Sequence, residues 1–197
     1  TGFNRDEGTL FSTIIPSALF AQIEPGIATQ MLDHPETDAY LAMLLEEYPE
    51  DDTARFEQLW NDLFLHAAVS GAQRATLAGS GGWLYRFDME ATAPFLGSRL
   101  GATHGAEVAF TFNTVADGSL LNPYDGDDPD VQRLARQWSD TVIAFARTGN
   151  PNGAGLPEWR QYGEGNREIL VLDANSRVET NLIRERITKL KAVNARF

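Results

Sequence analysis

The chain has 197 residues, 43% hydrophobic and 22% charged, with 17 Gly and 9 Pro; this balance excludes disordered, collagenous and coiled-coil classes and suffices for one domain with a sizeable core. Its 16 basic and 28 acidic residues give a formal charge of −12, which repels phosphate backbones and anionic lipid, so neither nucleic acid nor a membrane surface is expected as a partner. Cysteine is absent, which removes disulfide, Cys–zinc, iron–sulfur and cysteine-nucleophile chemistry.

The opening Thr1-Gly2-Phe3-Asn4 reads as the end of a strand, followed by the acidic pair Asp6-Glu7 and then Gly8. Adjacent residues on an extended chain point to opposite faces, so at most one of the two carboxylates serves a given site. A short turn of helix is expected at residues 17–20, stopped near Pro25. His34, between Asp33 and Pro35, reads as a solvated loop histidine. Tyr40, Leu41, Leu44, Leu45 and Tyr48 recur at helical spacing, with Pro49 closing the segment. Asp51, Asp52 and Thr53 offer caps for a long helix running to about Gly79. Its apolar face is Phe56, Leu59, Trp60, Leu63, Phe64 and Ala67, with His66 packed at the margin.

Ala78-Gly79-Ser80-Gly81-Gly82 resembles a relaxed Gly-x-Ser-x-Gly nucleophile elbow. That elbow must follow a strand and open a helix, and here the order is reversed, so the segment reads as a turn. The same reversal rejects a dinucleotide or phosphate loop. Residues 83–87 read as a strand and 91–122 as loop. Within that loop His104 stands among Gly101, Ala102, Gly105 and Ala106, small neighbours that let a side chain project into a cleft. Asp128-Pro129-Asp130 starts a helix whose stripe is Val131, Leu134, Trp138, Val142 and Phe145, closed by Gly149 and Pro151. The acids at 125–130 belong to that cap, since they lack the ligand alternation and sixth-position Gly of a calcium loop. Residues 169–172 read as a short buried strand and 182–193 as a terminal helix. Helices separating widely spaced strands favour an α/β architecture with crossover connections.

Four blocks in order resemble the C-terminal part of the type-B carboxylesterase and cholinesterase family, within the α/β-hydrolase superfamily. They are Gly2-Phe3-Asn4-Arg5-Asp6-Glu7-Gly8, then Leu84-Tyr85-Arg86-Phe87, then the run from Leu100 through His104 and Glu107 to Phe112. The last is Phe145-Ala146-Arg147-Thr148-Gly149-Asn150-Pro151-Asn152 with Pro157-Glu158-Trp159. The resemblance implies a mostly parallel sheet flanked by helices, truncated on its N-terminal side, with residues 1–197 forming one C-terminal portion of a catalytic domain. It makes Glu7 the triad acid and His104 the triad base, in the superfamily order of acid before histidine. Glu107 would orient the histidine loop, and Leu10 and Phe11 would line the substrate gorge. The chain departs from the family's pattern at two tryptophan positions, held here by Arg99 and Val142; Trp138 is expected to compensate for the second.

By the same resemblance, the reaction is acyl transfer on a small carboxylic ester, with no metal or organic cofactor and no membrane span. The serine elbow and the oxyanion strand, which precede the acid in the family, have no counterpart here. The expectation is therefore a fragment, inactive alone, whose partner is the missing N-terminal part of the same enzyme. The rival expectation is a catalytically silent relative serving protein–protein adhesion; retention of both Glu7 and His104 favours the enzyme. The strand at 83–87 is expected to expose apolar surface that absent chain would cover.

Overall fold

The computed structural model describes residues 1–116, 123–153, 155–163 and 165–195, with the side chains of residues 34 and 35 left aside. Among the described residues, four strands form one mixed sheet in the order β1 (Gly2–Asn4), β2 (Tyr85–Phe87), β3 (Glu168–Leu172) and β4 (Arg177–Thr180). The first two pairings are parallel and register Asn4 with Phe87 and Phe87 with Leu172; β3 and β4 pair antiparallel. Side chains alternate along each strand. Phe3, Leu84 and Ile169 therefore enter one core, beneath the helices α2 (Phe20–Ala28), α3 (His34–Glu47), α4 (Asp52–Leu77) and α7 (Arg184–Ala192). Phe87, Leu170 and Leu172 enter the other, under α5 (Val108–Thr111) and α6 (Pro129–Thr148).

Helix ends follow the cap chemistry read from the sequence. The Asp51 carboxylate accepts from the Ala54 N–H at 2.8 Å and the Asp128 carboxylate from the Asp130 N–H at 2.8 Å. Gly149 closes α6 in the left-handed conformation, φ 74°, which costs glycine no Cβ clash.

Five expectations are corrected. The helix after residues 17–19 does not stop at Pro25 but runs through it as α2; Pro25 and Ala21 both lie on the exposed face, where water can satisfy the carbonyl that proline leaves unpaired. His34 is no loop residue: its backbone opens α3 behind Asp33, with Pro35 in the first turn, and its side chain lies outside the described residues. Ala67 is exposed, and the buried stripe of α4 continues instead through Leu65, Ala68, Val69 and Ala72. The loop at 91–122 contains the short helix α5, and its residues 117–122 lie outside the description. Finally, β2 is an interior strand with Phe87, and Leu84 just before it, fully buried, so the apolar surface exposed along 83–87 is confined to the half-buried Trp83 and Tyr85.

Further apolar surface is exposed on α5, α6 and the residue after α5, where Val108, Phe112, Ile143 and Phe145 are 49%, 71%, 44% and 45% exposed. Phe145 also borders a cavity of about 470 Å³, with Trp83, Tyr85, Trp138, Val142 and Trp159. A hydrophobic dye should bind there, and the double replacement Phe112→Ser, Phe145→Ser should remove most of its fluorescence. Unchanged fluorescence in the double variant would place the dye elsewhere.

A buried ionic cluster ties α3, α4 and α7 together. Asp62, fully buried on α4, accepts from the Tyr40 hydroxyl at 2.7 Å and from Arg186 Nε at 2.6 Å, while Arg186 Nη2 also reaches its second oxygen. Arg186 Nη1 then donates to Glu47 at 2.6 Å, and Lys189 sits 2.8 Å from the same carboxylate. Removing one member of a buried pair leaves the other charge uncompensated, at about 3–5 kcal/mol. Asp62→Asn should therefore lower Tm by roughly 6–20 °C in a domain of this size. A thermal melt shifted by less than about 2 °C would show that Arg186 finds solvent instead.

Candidate active site

The site forms where the end of β1 meets the loop preceding α5. Beyond Asn4 the chain turns, and Glu7 stands immediately before α1 (Gly8–Ile14) with helical φ and ψ, its side chain buried. Gly8 allows this placement, because a Cβ there would overlap the Glu57 backbone of α4. Its N–H donates to the Asn61 side chain at 2.9 Å, which docks α1 on α4.

The histidine loop is laced to this turn. Asp6 and Thr103 form a parallel bridge, the Asp6 N–H donates to the Ala102 carbonyl at 3.1 Å, and the Ala102 N–H returns to the Asp6 carboxylate at 2.8 Å. The Thr9 hydroxyl lies 2.6 Å from the Leu100 carbonyl and 2.9 Å from the Thr103 hydroxyl. Gly101 sits at φ 64°, in the left-handed region, with its missing Cβ replaced by the Asp6 carboxylate. Asp6 and Glu7 thus point to different tasks: Asp6 holds the loop, and Glu7 reaches its histidine.

Glu7 Oε2 lies 2.7 Å from His104 Nδ1, while Glu7 Oε1 accepts the Asn4 N–H at 2.6 Å. The His104 side chain is 38% exposed and that of Glu7 5%, so the acid is shielded and the ring faces outward. The hydrogen bond to Glu7 raises the His104 pKa above its ordinary value of 6.5, against the opposing effect of partial burial. Nδ1 is committed to the carboxylate, which leaves Nε2 to exchange a proton with a reactant.

Aromatic rings fix the imidazole plane. Phe64 of α4 stacks on His104 at 4.4 Å between centroids, and Phe11 of α1 is tilted against it at 5.3 Å. Phe11 in turn stacks on Trp60 at 3.9 Å. Leu10 is half-buried one position earlier on α1. Glu107, just before α5, accepts the Asn4 side-chain amide at 2.7 Å. His66 is half-buried on α4. Trp138 packs edge-on against Tyr85 at 4.5 Å and donates to the Thr111 hydroxyl. Ser80 lies in the turn between α4 and β2.

Sequence reasoning missed Phe64 and Asn4. Phe64 was legible only as one of the apolar positions of α4, and nothing in its spacing distinguishes a ring facing the core from one facing the histidine. Asn4 lay inside a recognised block without a stated task.

The family model described as the Carboxylesterase family matches residues 1–189. The chain belongs to the carboxylesterase family. Among similar carboxylesterases, the phenmedipham hydrolase of Pseudarthrobacter oxydans is 31% identical over 194 residues, covering 93% of this chain and 37% of that protein. The para-nitrobenzyl esterase of Bacillus subtilis is 27% identical over 189 residues, covering 96% and 37%. A solved para-nitrobenzyl esterase structure superimposes with a TM-score of 0.75 at 25% identity, again over 96% of this chain and 37% of that one. The fold is accordingly that of part of an α/β hydrolase, and the chain spans little more than a third of the length of these esterases.

Proposed function

We propose that this chain supplies the acid and the base of a serine ester hydrolase, Glu7 and His104, and that the N-terminal part of the same enzyme supplies the serine and the oxyanion hole. The observation that carries this reading is the 2.7 Å contact between a buried carboxylate and Nδ1 of a half-exposed imidazole. The names of the similar proteins, esterases and a hydrolase, support it. So does the 37% of their length that this chain spans. Ser80 is a poor nucleophile candidate, since it follows a helix rather than a strand.

In the proposed cycle, His104 Nε2 removes the proton of the serine hydroxyl as its oxygen adds to the ester carbonyl. Glu7 holds the imidazole in the tautomer with Nδ1 protonated and stabilises the imidazolium that forms. The imidazolium then gives its proton to the departing alcohol, leaving an acyl-serine. Water attacks this intermediate with His104 again as base, releasing the acid and restoring the serine. Phe11 and Leu10 line the approach for the substrate. No metal or organic cofactor takes part in these steps.

The test compares hydrolysis of a short p-nitrophenyl ester by the complete enzyme and by residues 1–197 alone. The complete enzyme should turn over and the isolated portion should not, because it lacks the oxyanion donors that usually contribute most to acyl transfer. A complete enzyme without esterase activity at any ester chain length would favour the adhesion reading.

A further inference from the structure

Asn4 ties together three parts of the site. It is 2% exposed and sits at the last position of β1, paired with Phe87 of β2. Its backbone N–H donates to Glu7 Oε1 at 2.6 Å. Its side-chain Nδ2 donates both to the Thr103 carbonyl at 2.5 Å and to Glu107 Oε2 at 2.7 Å. Thr103 is the residue immediately before His104, and Glu107 leads into α5 behind it. One buried residue thus holds the acid from its main chain and both shoulders of the histidine loop from its side chain.

We infer that Asn4 is a positioning residue that sets the alignment of His104 Nδ1 on Glu7, an inference that rests on reading those two residues as the acid–base pair. An amide is the group this place demands. It offers two donors on one planar nitrogen, and both acceptors, a main-chain carbonyl and a carboxylate, are used. Aspartate is nearly isosteric but has no donor, and it would bring a third carboxylate beside Glu7 and Glu107. Leucine would leave the Thr103 carbonyl and Glu107 without that donor in a buried place. In either case the loop is released where its alignment matters, since a displacement of ~1 Å at a reacting group can cost on the order of 10² in rate.

Among the described residues, the charged groups that act on His104 are Glu7 before α1 and Glu107 before α5, with Asp6 held on the neighbouring Ala102 N–H and Tyr85 of β2 close to both glutamates. Glu7 dominates the rise in the His104 pKa through its hydrogen bond, with Glu107 adding a smaller Coulombic pull. Loosening the loop should therefore bring that pKa down toward 6.5.

The experiment is an NMR titration of the His104 ring in the complete, ¹⁵N-histidine-labelled enzyme, its signal assigned by loss in His104→Asn. Kinetics on a p-nitrophenyl ester run alongside. Asn4→Leu should lower the His104 pKa, speed exchange of its Nδ1 proton, and reduce kcat by about 10²-fold with KM little changed. Asn4→Ala, which leaves room for water and avoids steric conflict, should move the same readouts in the same direction if the leucine variant does not fold. The double replacement Asn4→Asp, Glu107→Gln reverses donor and acceptor across one of the two contacts, and should recover part of the loss relative to Asn4→Asp alone. Leu59→Ala, a core truncation on α4, should lower stability and leave the His104 pKa in place, separating positioning from general destabilisation. Unmoved pKa, exchange and kcat in both Asn4→Leu and Asn4→Ala, while Glu7→Gln does shift the pKa, would overturn the role of Asn4 and leave the pair intact. If Glu7→Gln itself moves nothing, the acid–base pair fails first, and the role assigned to Asn4 with it.

Discussion

Replacing His104 by alanine in the complete enzyme is expected to lower turnover of a short activated ester by about 10⁴–10⁶-fold. The loss is large because the group removed is the one proposed to accept the nucleophile's proton. Its Nδ1 is held at 2.7 Å by a buried carboxylate and its ring is clasped by Phe64 and Phe11. A neighbouring water cannot replace a base already oriented by three partners. His66→Ala is the matched control. It changes another histidine on α4, with no assigned part in the chemistry, and should alter stability more than kcat. Equal turnover in the two variants would remove His104 from the mechanism.

The second large effect is expected for Glu7→Gln, a loss of turnover near 10⁴-fold. Glutamine keeps the shape of the buried side chain, but it has one acceptor oxygen where Glu7 uses two, for the Asn4 N–H and for Nδ1, and it carries no charge to stabilise the imidazolium. The pH profile should move as well. Glu7 raises the folded-state pKa of His104 above 6.5, so the acid limb of kcat/KM should lie above that value in the wild type. Without the carboxylate the limb should shift to lower pH. Stability follows the same sign: a raised folded pKa contributes stability that is complete below the unfolded value and is lost as pH rises through the folded one. Glu7→Gln should flatten that dependence. A profile that stays in place would mean that another group sets it.

Much of this arrangement was legible in the sequence where one residue type answers one local demand. The Asp51 and Asp128 caps, the Gly149 stop and the reversed context of Ser80 depend on a few neighbouring residues, and the structure places them as read. The pair Glu7 and His104 was legible through the resemblance of their blocks, not through spacing, because nothing local brings together residues 97 apart. The features without a sequence signal depend on tertiary context. Strand β4 alternates Arg177, Val178, Glu179 and Thr180 at the sheet edge, a mixed pattern without a continuous apolar run. Pro25 does not stop α2, because a proline on an exposed face costs less than one whose freed carbonyl is buried. Phe64 carries an apolar side chain like its neighbours on α4, and only the docking of α1 and the histidine loop turns it into the floor of a site.

In the proposed mechanism His104 activates a serine lying outside these 197 residues. Labelling with a fluorophosphonate, followed by mass-spectrometric mapping of the modified peptide, tests it most directly. In the complete enzyme the label should fall on one serine outside residues 1–197, and His104→Ala should slow its incorporation by orders of magnitude. Label on Ser80, or incorporation at the same rate with and without His104, would contradict it.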